Sequence, residues 1–474
     1  MPETLYWYDF ETTGTDFIVD RPLQFAGVRT DLELKEVADP QNFYCRPGTD
    51  CVPNPEAMLV TGIRMSEVLQ SGFIEREFAR QVLGEFSQPQ TCVVGFNSIR
   101  FDDEFTRQML YRNFHDPYAR EWKSGNSRWD VIDLFRAAYA LRPEGFNWPM
   151  KDAEEAGVPS FRLEDLARAN GLDHLDAHDA LADVRTTIEV TRRLRQAQPR
   201  LYDFMFNLKD KRFVIQQLYP LGKQPVVHVS AMFPAARGCT GIVLPICQHP
   251  TNNNGIVVFD LSQSPELLLS VGPEELARLV FSASSELGDN ESRIALKVIH
   301  VNRSPFVAPL NTLDESAQVR LGLDITEAGQ RAQELMKAPG LVEKIQEAYS
   351  ANRFELYDDP DFQLYQGGFF SESDRSVMNE LQRVSPGGLP DFANRFQDDR
   401  LEEMLLRYRG RNYPQTLDHA DLHRWRGYLQ ERIGSLLPEL KAKTQTLIEQ
   451  ADEPSKAILR DLENYYDLLS EALA

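Results

Sequence analysis

Along the first two hundred residues, short β-branched and aromatic runs alternate with stretches of helical spacing. Leu5–Tyr8, Leu23–Arg29 and Thr91–Gly95 predict strands. Asp103–Phe114, Val131–Leu141, Phe161–Asn170 and Ala180–Gln196 predict helices, the third closed by Gly171. Strands alternating with helices imply an α/β layer structure. Pro199, just past the last of these helices, marks a domain edge. Between about Lys211 and Arg303 the pattern changes. Val226–Val229, Gly241–Ile246, Gly255–Leu261 and Ile294–Val301 predict a small, mostly antiparallel sheet, with helices at Glu274–Ser282 and Ala328–Met336. From about Asp358 helical spacing dominates. Leu401, Met404, Leu405 and Tyr408 stand at i, i+3, i+4 and i+7 and predict a buried helix face.

The chain has 474 residues, and a prior of roughly 150 residues per domain predicts two to four domains. No apolar run approaches the roughly 20 residues that span a bilayer, so no membrane association is expected. Met-Pro-Glu-Thr at the start is not a basic region followed by an apolar one, so no signal peptide is expected either. Five scattered cysteines with no CxxC pair predict reduced thiols in a cytoplasmic protein and no zinc site. The net charge of −21 opposes general binding of polyanions. A nucleic-acid substrate is compatible with it only if positive charge is concentrated along one groove.

Three acidic signals carry the chemistry. In Leu5-Tyr-Trp-Tyr-Asp9-Phe-Glu11-Thr-Thr-Gly14, strand alternation puts Asp9 and Glu11 on one face at the carboxyl end of a strand. Two carboxylates so close repel unless a cation lies between them, which points to a site for a hard metal. Gly14 allows a sharp turn after them. Asp102 follows the strand-like Val93-Val94-Gly95 and opens a helix, where α/β proteins place their sites; a bare capping role is the plainer alternative. His178 and Asp183 lie five residues apart, about 140° around a helix. They converge only if His178 precedes the helix that carries Asp183.

Asp9, Glu11, Asp102 and Asp183 with His178, in this order, resemble the DEDD exonuclease superfamily in its histidine subclass. The tyrosine subclass would need a tyrosine four residues before Asp183, where Asp179 stands. Asp20-Arg-Pro-Leu-Gln-Phe25, Asn126-Ser-Arg-Trp-Asp130, Leu141-Arg-Pro-Glu-Gly145, Pro159-Ser-Phe-Arg-Leu163, Leu364-Tyr-Gln-Gly-Gly-Phe-Phe370 and Tyr408-Arg-Gly-Arg-Asn-Tyr-Pro414 extend the resemblance to the bacterial exodeoxyribonuclease I family over nearly the whole chain. The resemblance implies a ribonuclease H-like exonuclease domain at 1–197, an SH3-like domain at 198–352 and a helical domain at 355–474, arranged as a C around a groove. It implies 3′→5′ digestion of single-stranded DNA to 5′-mononucleotides in repair and recombination. Asp9, Glu11 and Asp183 would ligate two Mg²⁺ ions, with Mn²⁺ as a substitute, and Asp102 would hold metal through water. His178 would be the general base, and Glu11 and Arg162 would contact the terminal nucleotide. A monomer is expected, docking the acidic C-terminal tail of single-stranded DNA-binding protein in a basic pocket that includes Arg142 or Arg320.

Arg107, Tyr118, Trp122, Arg128, Trp129 and Arg136 interleave cations and aromatics beyond Asp102, as single-strand binding surfaces do. The plainer alternative is that about half of these are core aromatics and solvated cations, Trp129 first among them. Lys211, Lys297 and Arg303 are expected to line the far side of the groove. Three rivals are weaker. Ribonuclease T and oligoribonuclease are single-domain chains, and some 270 residues follow the nuclease segment here. A polymerase proofreading domain would need a longer remainder, and a catalytically dead binding platform would not keep all five acidic and histidine positions.

Overall fold

The computed structural model describes residues 2–151, 157–172, 179–288, 291–351 and 356–473. Packing divides the chain into two compact units. The first comprises Met1–Ser127, Leu175–Ile188 and Leu356–Ala474; the second comprises Arg128–His174 and Glu189–Glu355. No helix among the described residues is long and apolar enough to cross a membrane.

The first unit is built on strands β1 (Thr4–Thr12), β2 (Pro22–Thr30), β3 (Gln41–Arg46), β4 (Phe73–Ile74) and β5 (Thr91–Gly95). With β6 (Ser127–Asp130), at the point where the chain leaves this unit, the sheet order is β4-β3-β2-β1-β5-β6. β1 is antiparallel to β2, with Glu11 opposite Gln24, and parallel to β5, ending at the pair Trp7–Val94. Tyr6, Tyr8 and Phe10 point from one face of β1 into a cluster with Phe25, Phe78, Phe86, Val93 and Met109. Alternation along the strand therefore sends Asp9 and Glu11 to the other face. Each aromatic ring so buried contributes about 1.5–3 kcal/mol, enough to fix the register of the strand that carries the acids.

The C-terminal helices complete this unit. Leu437, Leu440, Leu462, Tyr466 and Leu469 pack with Leu23, Met58, Ile63, Met65 and Val68. The stripe Leu401, Met404, Leu405 and Tyr408 is buried, as its spacing predicts, against Tyr111 and Phe114. Between these apolar patches lies a set of buried charges. Arg411 donates to Asp50 at 2.8 Å and also holds Asp361. Asp361 meets Arg407 at 3.3 Å, Arg21 stands 3.6 Å from Asp50, and Arg112 pairs with Glu75 at 2.7 Å. Positive and negative side chains alternate, so each buried charge has a counterion.

The second unit holds an antiparallel sheet of β7 (Val226–Val229), β8 (Thr240–Gln248), β9 (Gly255–Asp260), β10 (Leu296–His300) and β11 (Phe306–Pro309), in the order β10-β9-β8-β7-β11. The four segments predicted as strands form, and β11 joins them. Pro245 is accommodated in β8 at a register shift, where a missing amide is tolerated.

Asp50→Ala would leave Arg21 and Arg411 buried without that counterion. The expected loss of unfolding free energy is about 3–5 kcal/mol in denaturant titrations. Burial opposes ionisation of Asp50, but Arg411 and Arg21 outweigh it and hold the carboxyl at about 2. A depressed carboxylate stabilises the fold above its unfolded value near ~3.9 and loses that contribution as pH falls through the folded value. The difference between the wild type and Asp50→Ala should therefore shrink between about pH 4 and 2. A difference below about 1 kcal/mol at neutral pH would show that the network does not hold this unit together.

Candidate active site

β1 delivers Asp9 and Glu11 at its carboxyl end, and the turn that follows is tight. Thr12 Oγ1 donates to the Gly14 carbonyl at 2.6 Å, and a Cβ on Gly14 would lie 2.3 Å from the Asp20 carboxylate. A side chain there would displace the Asp20 carboxylate, which accepts from Thr13 Oγ1 and the Asp16 amide. β5 ends at Gly95, where a Cβ would meet that of Ser98 at 2.5 Å, and Asn97 takes the left-handed conformation at φ 61°. The helix Asp102–Arg112 then begins, with Phe101 rather than Asp102 at its N-cap. Asp102 is thus no simple cap: its Oδ1 accepts the amide N–H of Phe10, on β1, at 3.1 Å.

Asp183 arrives on the first turn of the helix Ala180–Ala197, its amide donating to the Asp179 carbonyl at 3.0 Å. Carboxylate oxygens of Asp9, Glu11 and Asp183 lie within 4.8 Å of one another. Withdrawal from water, then the charges of Asp102, Glu11 and Asp183, pushes the Asp9 carboxyl far above its ordinary value. Burial, Asp183, Asp102 and Asp179 push Glu11 up to about 8. Three hard oxygen donors that repel one another at this range fit a divalent cation: its charge would relieve the repulsion that raises both values.

His178 lies outside the described residues. Its described neighbour Asp179 is tied to the sheet, since Gln24 Nε2 donates to Asp179 Oδ1 at 3.3 Å and to Asn42 Oδ1 at 2.9 Å. Gln24 stands opposite Glu11 on β2, so it links the two acidic segments across the sheet. The motif Asp20-Arg-Pro-Leu-Gln-Phe25 contains it, but no spacing rule singles out a neutral amide.

The expected substrate residues divide by burial. Trp122 is 67% exposed, and Arg162, just before the helix Leu163–Ala169, and Lys211 are also exposed. Lys211 donates to Asn254 Oδ1. Arg303 is half-buried. Tyr118 is half-buried, edge-on to Phe369 and beneath the Arg107 guanidinium. Three arginines expected as phosphate contacts are instead turned inward. Arg107 is 3% exposed and meets Glu104 at 2.9 Å, Glu121 at 2.8 Å and the Tyr365 hydroxyl. Arg128 is buried and donates to the Asn302 carbonyl, and Arg136 is buried beside Asp133. A guanidinium whose charge is already met by a carboxylate adds little attraction for a phosphate. Trp129 is fully buried against Tyr202 and Phe206, as its core alternative required. The Lys297 ammonium sits 3.4 Å from the centre of the Phe233 ring and donates to the Met232 carbonyl; burial lowers it to about 8. Arg320 donates to the carbonyls of Tyr139 and Ala140, and Arg142 to those of Leu141 and Thr312, so both gather at the end of the helix Ile132–Leu141.

Family models match three successive parts of the chain: an exonuclease at residues 6–191, the exonuclease I SH3-like domain at 209–351 and the exonuclease I C-terminal domain at 358–469. Exodeoxyribonuclease I of Escherichia coli strain K12 is 41% identical over 469 residues, 98% of this chain and 97% of that protein. Exonuclease I from Methylocaldum szegediense, described as moderately thermophilic, has a TM-score of 0.93 at 43% identity, with 100% of each chain covered. The zinc-ion-bound complex of E. coli exonuclease I with single-stranded DNA has a TM-score of 0.93 at 40% identity, covering 99% of this chain and 100% of that one.

The crowding of carboxylates predicts a pH-dependent response to metal. A carboxyl raised in the fold is penalised as pH climbs from its unfolded value near ~4.3, and for Glu11 the penalty is complete above about 8. Without metal at pH 8, Glu11→Gln should therefore melt at a higher temperature than the wild type. Added MnCl₂ should stabilise the wild type more at pH 8 than at pH 5.5, and Glu11→Gln much less at either. Equal melting temperatures for the two metal-free proteins at pH 8 would refute this electrostatic account.

Proposed function

Because the chain belongs to the exodeoxyribonuclease I family, we propose that it is a 3′→5′ exonuclease that degrades single-stranded DNA to 5′-mononucleotides. One observation carries the reading: Asp9, Glu11 and Asp183 converge within 4.8 Å, with Asp102 anchored to the same strand. No fold requirement explains three such acids. Phosphodiester hydrolysis does, because it needs positive charge beside an attacking water and a leaving oxygen, which two bound Mg²⁺ ions, or Mn²⁺ in their place, supply.

Within this reading the chain's own residues have distinct tasks. Asp9, Glu11 and Asp183 would hold the divalent cations, and Asp102 would assist them through water. His178, on the segment before the Asp183 helix, accepts the proton of the attacking water, a task suited to an imidazole at neutral pH. Glu11 and Arg162 hold the 3′-terminal nucleotide. Bases stack on the exposed ring of Trp122, and Lys211 and Arg303 meet the phosphates. The complex of single-stranded DNA with the E. coli relative supports this substrate. We assign the enzyme to the cytoplasm, to repair and recombination, and to a monomer that docks the tail of single-stranded DNA-binding protein near Arg142 and Arg320.

The test is digestion of matched single-stranded DNA, duplex DNA and RNA, each labelled at one end, with Mg²⁺. Loss should begin at the 3′ end of single-stranded DNA and release mononucleotides. Asp183→Ala should abolish it with the fold intact. His178→Ala should lower turnover by about 10² to 10⁴ with little change in DNA binding. Near-wild-type turnover by Asp183→Ala, or preference for duplex or RNA, would reject the assignment.

A further inference from the structure

The strand that carries Asp9 and the helix that begins at Asp102 are tied together twice. β1 runs past its last pair with β5, Trp7–Val94, so the amide of Phe10 lies beyond that ladder and is met by Asp102 Oδ1 at 3.1 Å. Two residues earlier, the Tyr8 hydroxyl donates to Asp103 Oδ1 at 2.9 Å. The rungs come from alternate residues of the strand and consecutive residues of the helix, and they flank Asp9 along the chain.

The second rung has its own support. Asp103 is 1% exposed, and Arg120, fully buried, donates to the same oxygen at 2.5 Å. The Arg120 guanidinium lies 5.0 Å from the centre of the Phe86 ring, and Phe86 also meets the Tyr8 ring edge-on at 4.9 Å. An unpaired Asp103 would place one more buried negative charge behind a site already crowded with four. Arg120 removes that charge from the balance and fixes where the carboxylate stands. Tyr8 reads that position out to the strand.

We propose that Tyr8, Asp103 and Arg120 form a positioning triad that sets Asp102 against Asp9, and so the spacing of the metal-holding carboxylates. None of the three is a catalytic residue: each acts through the placement of Asp102. The proposal rests on the reading of the carboxylates as a metal-dependent nuclease centre.

Tyr8→Phe is the decisive variant, because it removes one oxygen and keeps the ring in its aromatic cluster. On a single-stranded oligonucleotide with Mn²⁺, kcat should fall about tenfold at unchanged KM, as a small displacement of a reacting group does. In a thermal-shift titration without DNA, the Mn²⁺ concentration for half-maximal stabilisation should rise several-fold, with the metal-free melting temperature changed by only a few degrees. In an Asp102→Asn background the further change Tyr8→Phe should alter kcat less than about twofold, since residues acting as one unit are not additive. A kcat within about twofold of wild type for Tyr8→Phe, or effects of Tyr8→Phe and Asp102→Asn that simply multiply, would overturn the triad. A wild type that leaves single-stranded DNA intact would overturn the nuclease reading instead.

Discussion

Repulsion between carboxylates is the constraint on which the rest of the first unit depends. Two unit charges 4.8 Å apart, the span of the Asp9, Glu11 and Asp183 oxygens, oppose each other by about 3–4 kcal/mol at an effective dielectric near 20. A loose scaffold would relax that energy by letting the acids drift apart. Here the drift is blocked from three directions. The aromatic face of β1 fixes the strand, the Phe10 amide and Tyr8 hydroxyl fix the start of the Asp102 helix, and Gln24 fixes the start of the Asp183 helix. The acids are thus held close by apolar packing behind the strand and by hydrogen bonds to the carboxylates that flank them.

The parts of this design written in local pattern were legible in the sequence. Alternation along β1 separated the aromatic face from the acidic one, and the spacing of Leu401, Met404, Leu405 and Tyr408 disclosed a buried helix face. What local pattern does not encode is which distant segment a side chain meets. Arg107 reads as a free cation beside aromatics, yet Glu104 and Tyr365, 258 residues further on, enclose it. β11 was missed because a four-residue strand ending in proline has too few positions to show a period. Gln24, Tyr8 and Arg120 gave no signal because their roles arise only when strand and helix are brought together.

The acidity of the chain also looks different once its cations are located. Arg21, Arg107, Arg112, Arg120, Arg407 and Arg411 are all buried against carboxylates of the first unit. These arginines neutralise internal charge and add nothing to the field that a polyanion would meet outside. Under the proposed function, attraction for a nucleic acid would fall to the exposed basic residues, with stacking on exposed rings such as Trp122 beside it.

The first unit is also discontinuous. Strands β1 to β5 and two of its acids, Asp9 and Glu11, lie in residues 1–127, but Asp50 in that stretch needs Arg411, and Leu23, Met58 and Met65 need Leu437 and Leu462. During synthesis the N-terminal segment leaves the ribosome first, and the contacts of Asp50, Leu23, Met58 and Met65 with the C-terminal helices can close only when the last hundred residues follow. A half-made chain has Asp9, Glu11 and the aromatic face behind them, but Asp50 and the apolar patch around Leu23 still lack their C-terminal partners. Closure of this unit is therefore completed only by the end of the polypeptide, and a chain cut short before Arg411 would leave these groups without their partners.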